Sequence, residues 1–300
     1  MPPRLLPSGL LPRRFLLSGL LRSHLMFPAA FAAALLFAAP ALADACLGPI
    51  ARAPSLGLLL NAFLGPLPGL AAPDGTPIRR AALSSGEVKI TYIGHATFTI
   101  TSPGGVVAAT DYNDYVHPHA PPDIATMNHA HSTHFTHRPN PAIKHVLRGW
   151  AHQGKPPAFD VQERDMRVRN VPTNIRDGGM TEFSGNSIFI FEAAGLCVAH
   201  LGHLHHTLTP EHLKAIGQVD IVFAAVDGSW TLDHAGIIEV IGQLQPKIVI
   251  PMHYFSESVL ERFLSRLSGK ADVERVPSDS LVVSRANLPK QMAIKVLIGR

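Results

Sequence analysis

The chain has 300 residues, of which 46% are hydrophobic and 16% are charged. This length suits one large domain or two small ones. The composition is typical of a well-buried globular core and excludes a disordered chain, which would carry more charge and fewer apolar residues. The formal net charge is +4, and the position of the excess charge decides whether nucleic acid is an expected partner.

The N-terminal segment has the pattern of an export signal. Four arginines and no carboxylate precede Asp44, an apolar run covers residues 26–39, and Ala41-Leu42-Ala43 follows it. This order is typical of a secretory signal peptide. We therefore interpret residues 1–43 as a signal peptide and expect an exported protein, periplasmic or secreted. A membrane anchor is the alternative, but the run is shorter than the roughly 20 residues of a bilayer span, so no stable span is expected after signal removal.

Removal of this segment changes the charge balance of the protein. The chain has 26 basic and 22 acidic residues, and the four arginines of residues 1–43 account for the whole difference. A mature chain without net charge lacks the basic surface that usually accompanies nucleic-acid binding. We therefore expect a small-molecule substrate and no nucleic acid, and the oligomeric state stays open.

Two cysteines, Cys46 and Cys197, are present in the sequence. An oxidising compartment would permit a disulfide between them, but one pair does not dictate a fold. Cys197 lies in the apolar stretch 196–199, where a cysteine also fits as a small buried hydrophobic residue. The sequence leaves the pairing open.

Regular structure is predicted to begin near residue 88. Residues 44–86 are rich in Ala, Leu, Pro and Gly without a lasting period, and we interpret them as a leader segment before a domain at residues 87–300. An antiparallel meander is predicted from strand-like stretches at residues 89–93, 96–100 and 106–109.

The second half of the chain alternates strands with helices. Strands are predicted at residues 188–191, 197–200, 221–225 and 248–251. Helices are predicted from Pro210 onward with Thr209 as the cap, at 232–244 and at 256–267. Hairpins followed by strand–helix alternation favour an α+β fold in which helices sandwich two sheets.

Histidine is the unusual residue of this sequence, with 17 copies. The densest runs begin at His129 and at His200, and His253 follows an apolar strand. In an extended segment His129 and His131 point to the same side, and His134 can approach the same point after a turn. One such histidine would more often be a core or surface residue. Several at strand ends indicate a metal site, because imidazole binds zinc, iron, nickel and copper.

The motif His129-x-His131-x-Thr133-His134 resembles the His-x-His-x-Asp-His signature of the metallo-β-lactamase superfamily. Residues 92–98, 200–203 and 246–254 resemble, in order, segments of the subgroup that contains L-ascorbate-6-phosphate lactonase and N-acylphosphatidylethanolamine phospholipase D. The likeness covers roughly residues 88–254, and the combination of segments is far more specific than any single motif.

The resemblance implies an αββα sandwich with a one- or two-metal site at one edge of the sheets. Carried over by position, the implied ligands are His129, His131 and His200 for a first metal, and His134 and His253 for a second. The superfamily's two carboxylate ligands fall on Thr133 and His203 in this chain. The chain therefore departs from the standard two-metal centre.

Two arrangements fit this departure. In one, only the first, three-histidine site is filled, with the open water position usual for catalytic zinc. In the other, His203 replaces the missing aspartate and joins His134 and His253, while the neutral hydroxyl of Thr133 does not bind tightly. Imidazoles in place of carboxylates leave more positive charge at the centre, which favours anionic substrates. They also favour zinc, with iron and manganese as the alternatives.

Further residues are candidates for supporting roles. Asp111 matches an aspartate common in the subgroup and is expected to orient a ligand histidine, with a turn cap as the equal alternative. His95 is expected either to line the site or to pack beneath it, and Asp227 to reach the rim of the pocket. Seven histidines are interpreted as structural or solvent-facing: His137, His145, His152, His205, His206, His212 and His234.

These features predict a metal-dependent hydrolase in which a metal-bound hydroxide attacks an ester, lactone, amide or phosphodiester. The alternative is a catalytically silent metal-binding or sensor protein, because a fold does not fix a function. The presence of another good ligand, His203, at a lost carboxylate position favours the enzyme over decay of the site.

Overall fold

The computed structural model describes residues 46–47 and 83–299, which build two β-sheets. In chain order the strands are β1 Glu87–Gly94, β2 Thr97–Thr101, β3 Val107–Ala109, β4 Ile124–Met127, β5 His145–Arg148, β6 Asp160–Glu163, β7 Met166–Asp177, β8 Met180–Ala193, β9 Leu196–His200, β10 Ile221–Ala225, β11 Ile248–Met252, β12 Asp272–Arg275, β13 Ser280–Ser284 and β14 Ala293–Val296. The helices are α1 Pro210–Ile216, α2 His234–Leu244 and α3 Glu257–Ser265, with a short 3-10 helix at Arg285–Asn287.

The first sheet has six strands in the order β13-β1-β2-β3-β4-β5, and the second has eight in the order β12-β14-β11-β10-β9-β8-β7-β6. The predicted meander of β1, β2 and β3 is confirmed as antiparallel. The predicted start of α1 is also confirmed, because the Thr209 side chain accepts the His212 backbone N–H and Pro210 opens the helix. Several strands were not predicted, among them β7 and much of β8. β7 buries polar residues such as Arg169 and Thr173, and the first four residues of β8 are exposed, so neither stretch shows a simple apolar alternation.

The core between the two sheets follows from period-two alternation along the strands. In β8, Phe189 and Phe191 face the first sheet and pack with Phe98 of β2 and Phe223 of β10. The intervening residues of β8, such as Ile190, belong to the cluster on the opposite face of the same sheet. The predicted packing of two sheets in one α+β sandwich is therefore confirmed.

The three α-helices of the described chain cover the outer face of the eight-stranded sheet. Ile216 of α1, Ile237 of α2 and Phe263 of α3 are buried in one cluster with residues of β9, β10 and β11. The outer face of the six-stranded sheet is covered differently, by side chains of its connections. Tyr112 and Ile143 pack there on apolar residues of β3 and β4.

The strand ends that carry the histidine runs meet at one edge of the sandwich. β9, β10 and β11 are parallel neighbours in the second sheet, and so are β3, β4 and β5 in the first. Loops that follow parallel strands lie at the same edge of a sheet. A β-bridge between His129 and Asn186 joins the two sheets there, beside a 3.1 Å hydrogen bond from Ser187 N to Asn128 O.

A disulfide joins Cys46 to Cys197 of β9, with 5.8 Å between the two Cα atoms. The Cys46 carbonyl also accepts the Gln218 backbone N–H at 2.8 Å. The signal peptide at residues 1–43 and most of the leader at 44–86 lie outside the described residues. Within the described part of the chain, no helix is long and apolar enough to cross a bilayer.

Replacement of both cysteines by serine is expected to lower the free energy of unfolding by about 2–5 kcal/mol, because the unfolded chain regains the freedom of a long closed loop. Urea denaturation of the oxidised wild-type protein and of the double variant measures the difference. The double variant also serves as the control for added reductant, because its urea midpoint should be the same with and without reductant. Equal midpoints for oxidised and reduced wild-type protein would contradict a stabilising disulfide.

Candidate metal centre

Six histidines gather at the shared edge of the two sheets, with neighbouring ring centroids 4.2 to 6.5 Å apart. We call this group the histidine cluster, and its members are His95, His129, His131, His134, His203 and His253. They come from the turn between β1 and β2 and from the loops that follow β4, β9 and β11. Residues more than 150 positions apart in sequence are thus brought to one point.

Two buried carboxylates fix the orientation of two rings of the cluster. Asp111 Oδ2 lies 2.6 Å from His134 Nδ1, and Asp227 Oδ1 lies 3.1 Å from His253 Nδ1. A carboxylate on Nδ1 holds the proton on that nitrogen and leaves the lone pair of Nε2 free, as is usual for metal-binding histidines. Both rings therefore present Nε2 to the cluster.

The other two rings of the first motif are oriented by neutral oxygens. His129 Nδ1 lies 2.7 Å from the Gly185 carbonyl oxygen, and His131 Nδ1 lies 3.1 Å from Thr133 Oγ1. Thr133, at one lost carboxylate position, therefore contacts a ring of the cluster. This contact gives Thr133 an orienting role.

His203, at the other lost carboxylate position, points into the cluster. Its Nδ1 lies 3.1 Å from His134 Nε2, and its ring centroid lies 5.3 Å from that of His253. Two nitrogens bound to one tetrahedral ion at about 2.0–2.1 Å would be roughly 3.3–3.4 Å apart, so the observed separation suits a shared ion. The backbone N–H of His203 donates to Asn186 Oδ1 at 2.9 Å and anchors the loop.

Gly202 makes this placement of His203 possible. Its φ is +61°, and a Cβ atom there would lie 2.3 Å from Asn128 Nδ2 and 2.6 Å from Asn186 Oδ1. Only glycine combines this backbone conformation with such a close approach. The turn between β9 and His203 can therefore pass directly over the two asparagines that join the sheets.

His200 differs from the expectation. Its Nδ1 faces Asn128 Oδ1 at 3.1 Å, and its Nε2 faces the Ala96 carbonyl oxygen at 3.0 Å. The ring packs edge-on against Phe223 rather than against the histidine cluster. Burial lowers the pKa of His200 to about 4, so the ring is neutral and donates to only one of these oxygens. Both nitrogens nevertheless face the fold, and the structure does not bring His200 into the histidine cluster as the resemblance implied. His200 is fully buried and supports the site from within the core, through its contacts with Asn128 and Ala96.

Asp111 contacts His134, one of the implied ligands, from behind the cluster. It is fully buried, and its Oδ1 accepts the Asn128 backbone N–H at 2.9 Å while Oδ2 binds His134. Burial raises the pKa of its carboxyl to about 6, against the opposing effect of His200. At neutral pH the carboxylate therefore stays mostly ionised and can hold the proton of His134 Nδ1.

Burial and mutual repulsion lower the pKa of several rings of the cluster. Burial, followed by the neighbouring His253 and His134, lowers the pKa of His95 to about 3. Burial also holds the pKa of His203 and that of His134 far below the usual histidine range, with the other rings adding to the effect. Neutral imidazoles keep the lone pair that a metal ion requires.

The residues present fit a metal ion. Ligand nitrogens of His95, His134 and His253 lie within 4.8 Å of one another. The Nε2 atom of His95 is buried and has no hydrogen-bond partner in the described structure. An unpaired buried polar atom costs free energy that a bound ion would recover. A donor set made of imidazoles suits zinc among the common metal ions.

Some residues of this site could not be assigned from the sequence. Asp227, expected only at the rim, binds His253 and also accepts three backbone N–H groups of its own loop. Asn128 and Asn186 join the sheets beneath the cluster, and the only signal for Asn128 was its place beside His129. His205, interpreted as structural or solvent-facing, is buried with its ring centroid 4.9 Å from that of His203.

Comparisons with a family profile and with related proteins point to the same family. The profile described as "Beta-lactamase superfamily domain" matches residues 89–253. The chain is 24% identical over 187 residues to the UPF0173 metal-dependent hydrolase of Thermoplasma acidophilum, covering 56% of this chain and 84% of the relative. A UPF0173 metal-dependent hydrolase of Anaeromyxobacter dehalogenans is 24% identical over 235 residues, covering 63% and 84%.

A solved structure from Thermotoga maritima, considered a zinc-dependent hydrolase of the metallo-beta-lactamase superfamily, superposes with a TM-score of 0.55. Its sequence is 27% identical, and the match covers 71% of this chain and all of the other. A metal-dependent hydrolase fold from Parabacteroides distasonis superposes with a TM-score of 0.51 at 17% identity, over 71% and 94% of the two chains, and shows the fold alone.

Replacement of Asp111 by asparagine is expected to weaken zinc binding about 10–100-fold, because the ring of His134 loses the charge that fixes its tautomer. Competition with a chromophoric chelator measures the affinity of the metal-free protein. The matched control is Asp160→Asn, which removes an exposed carboxylate paired with Arg167. Unchanged zinc affinity in a folded Asp111→Asn protein would show that the carboxylate does not serve a metal ligand.

Proposed function

This chain belongs to the beta-lactamase superfamily, and we propose that it is a metal-dependent hydrolase whose centre is the histidine cluster. The observation that carries the proposal is the orientation of the rings. Four imidazoles have Nδ1 held by an oxygen, and a fifth, His203, places Nδ1 3.1 Å from His134 Nε2. Such convergence of ring nitrogens is the arrangement of a metal centre.

We assign the ligands to two positions. His129 and His131 belong to a first ion, and His134, His203 and His253 belong to a second. Zinc is the ion that this donor set favours, since all five ligands are imidazoles and manganese prefers oxygen. A divalent ion bound there supplies a Lewis acid and a water of lowered pKa.

The protein's own residues prepare the site for this chemistry. Asp111 and Asp227 hold the protons of His134 and His253 on Nδ1, and therefore keep the lone pairs directed into the cluster. Because these carboxylates bind histidines rather than an ion, the positive charge of the ions is not neutralised by their ligands. The centre consequently favours substrates with an anionic group near the bond that is cleaved.

Residues at the rim support the same substrate class. The guanidinium of Arg176 binds the Thr231 carbonyl, and the Arg176 backbone N–H donates to His205 beside His203. The charge of Arg176 therefore acts on His205, the residue that packs on His203. Phe255 is 64% exposed and packs on His95 and His253, so an apolar part of a substrate can rest on it. We propose an anionic ester, lactone, amide or phosphodiester with an apolar portion.

The finer likeness, to the subgroup of L-ascorbate-6-phosphate lactonase and N-acylphosphatidylethanolamine phospholipase D, belongs to the same proposal. It is supported by the order of the matching segments in the sequence. A catalytically silent metal sensor is the second candidate, and the observation that favours it is the loss of both carboxylate ligands, at Thr133 and His203. Turnover separates the two candidates.

We also propose that the protein works outside the cytoplasm, periplasmic or secreted. The disulfide between Cys46 and Cys197 supports this location, because such bonds persist mainly in oxidising compartments. The basic and apolar pattern of residues 1–43 supports it independently.

Removal of metal with a chelator is expected to abolish hydrolysis, and added zinc is expected to restore it. A panel of p-nitrophenyl esters and phosphodiesters, assayed with and without an anionic group, measures both activity and preference. His131→Ala should lose activity at every zinc concentration below saturation, and the exposed His117→Ala is the matched control. A protein that binds zinc but turns over no member of the panel would favour the sensor.

Replacement of His203 by alanine is expected to remove the second ion and keep the first, because His203 faces His134 and His253. Thr133→Ala is expected to keep both ions at saturating zinc, since this hydroxyl touches His131 rather than an ion. His203→Asp should keep two ions and shift preference towards manganese. Elemental analysis of the purified proteins gives the stoichiometry. Two ions in the His203→Ala protein would exclude His203 as a ligand.

A further inference from the structure

We infer that His95 is a fourth imidazole ligand of the second ion, beside His134, His203 and His253. This inference rests on the metal centre proposed above, and it adds a ligand from the first sheet that the superfamily motif does not assign. The second position would then be held by four histidines with no carboxylate in contact with the ion.

The first observation is the spacing of the donor atoms. One ring nitrogen from each of His95, His134 and His253 lies within 4.8 Å of the other two. The ring centroid of His95 lies 4.2 Å from that of His253 and 5.7 Å from that of His134. The His134 and His253 centroids are 5.2 Å apart, so His95 lies closer to His253 than His134 does, and its 5.7 Å distance to His134 is of the same order.

The second observation is the state of the His95 ring. Its Nε2 is buried and has no hydrogen-bond partner in the described structure. Leaving a buried ring nitrogen unpaired costs roughly 1–3 kcal/mol. A residue that only fills space at this position would do so at lower cost as a phenyl ring.

The third observation is that the fold fixes the backbone of His95 against that of His253. The His95 carbonyl accepts the His253 backbone N–H at 2.9 Å and the Tyr92 hydroxyl at 3.2 Å. His95 and His253 both have positive φ, +52° and +57°. Non-glycine residues in this region cost energy and concentrate at functional sites. The two loops thus present neighbouring rings from opposite sheets.

The experiment compares His95→Asn with the wild-type protein. Asparagine suits the substitution because it tolerates positive φ, so the turn keeps its backbone while the imidazole is removed. Zinc alone is titrated into the metal-free proteins in competition with a chromophoric chelator, and cobalt(II) spectra report the coordination of each site. His117→Asn, an exposed histidine that packs on Tyr112, is the matched control.

The wild-type protein and His117→Asn should bind two zinc ions, and His95→Asn should bind the second at least about 100-fold more weakly. Loss of a direct ligand should exceed the 10–100-fold effect of losing an orienting partner. The first ion should keep its affinity. The cobalt(II) spectrum of the second site should change, because its nitrogen count falls.

A second variant, His95→Asp, keeps a donor at the position and also tolerates positive φ. It should retain the second ion and shift its preference from zinc towards manganese, which a purely structural His95 would not produce. This variant decides the matter if His95→Asn does not fold.

Two different failures are distinguishable. Two ions in wild type with unchanged affinity and cobalt(II) spectrum in His95→Asn would overturn the role of His95 and leave the hydrolase proposal intact. A wild-type protein that binds one ion would overturn this inference together with the second position. Failure of the hydrolase proposal itself would appear as absent turnover in a protein that binds both ions.

Discussion

The hydrogen bonds from Asp111 to His134 and from Asp227 to His253 set the chemistry of the whole edge of the sandwich. Each carboxylate holds the proton of its histidine on Nδ1 and leaves Nε2 facing the cluster. Without them, buried rings this close together would have no fixed tautomer, and their nitrogens would not converge. The two pairs come from different sheets, Asp111 after β3 and Asp227 after β10. The site therefore depends on how the sheets meet.

Two asparagines, Asn128 and Asn186, join the two sheets at this edge. The Asn128 side chain donates to the Ser187 carbonyl across the two sheets, and the Asn186 backbone forms a bridge to His129. Asn186 Oδ1 also accepts the backbone N–H of His203. Gly202 packs against both side chains, at a distance that no Cβ atom permits. Asn186 therefore fixes both the loop that carries His203 and, through the β-bridge, the backbone of His129. A shift of one sheet along the other would move both rings together.

The sequence predicts the parts of this structure that depend on local pattern. The strands of the opening meander, the cap of α1 at Thr209 and the convergence of His129, His131 and His134 all follow from short-range spacing. It does not predict the direction of a ring whose partners are distant. The Nε2 atom of His200 faces the carbonyl oxygen of Ala96, 104 positions away in sequence. This contact orients the His200 ring away from the histidine cluster. The same long-range packing brings His95 to His253. The long β7–β8 hairpin was missed because its outer part has no apolar alternation.

The two departures from the superfamily motif have a common physical meaning. Thr133 binds a ring of the cluster, and His203 faces the cluster itself, so one lost carboxylate position has become an orienting group and the other a neutral nitrogen. The buried carboxylates that remain, Asp111 and Asp227, each sit one residue away from the centre, behind a histidine. Ions held by imidazoles alone keep their full positive charge, since none of the ligands is an anion. Selectivity for the ion and for the substrate would then follow from the same cause. Imidazole nitrogens favour zinc over manganese. The uncompensated positive charge favours an anionic substrate, whose negative charge takes the place of the carboxylate ligands that this site lacks.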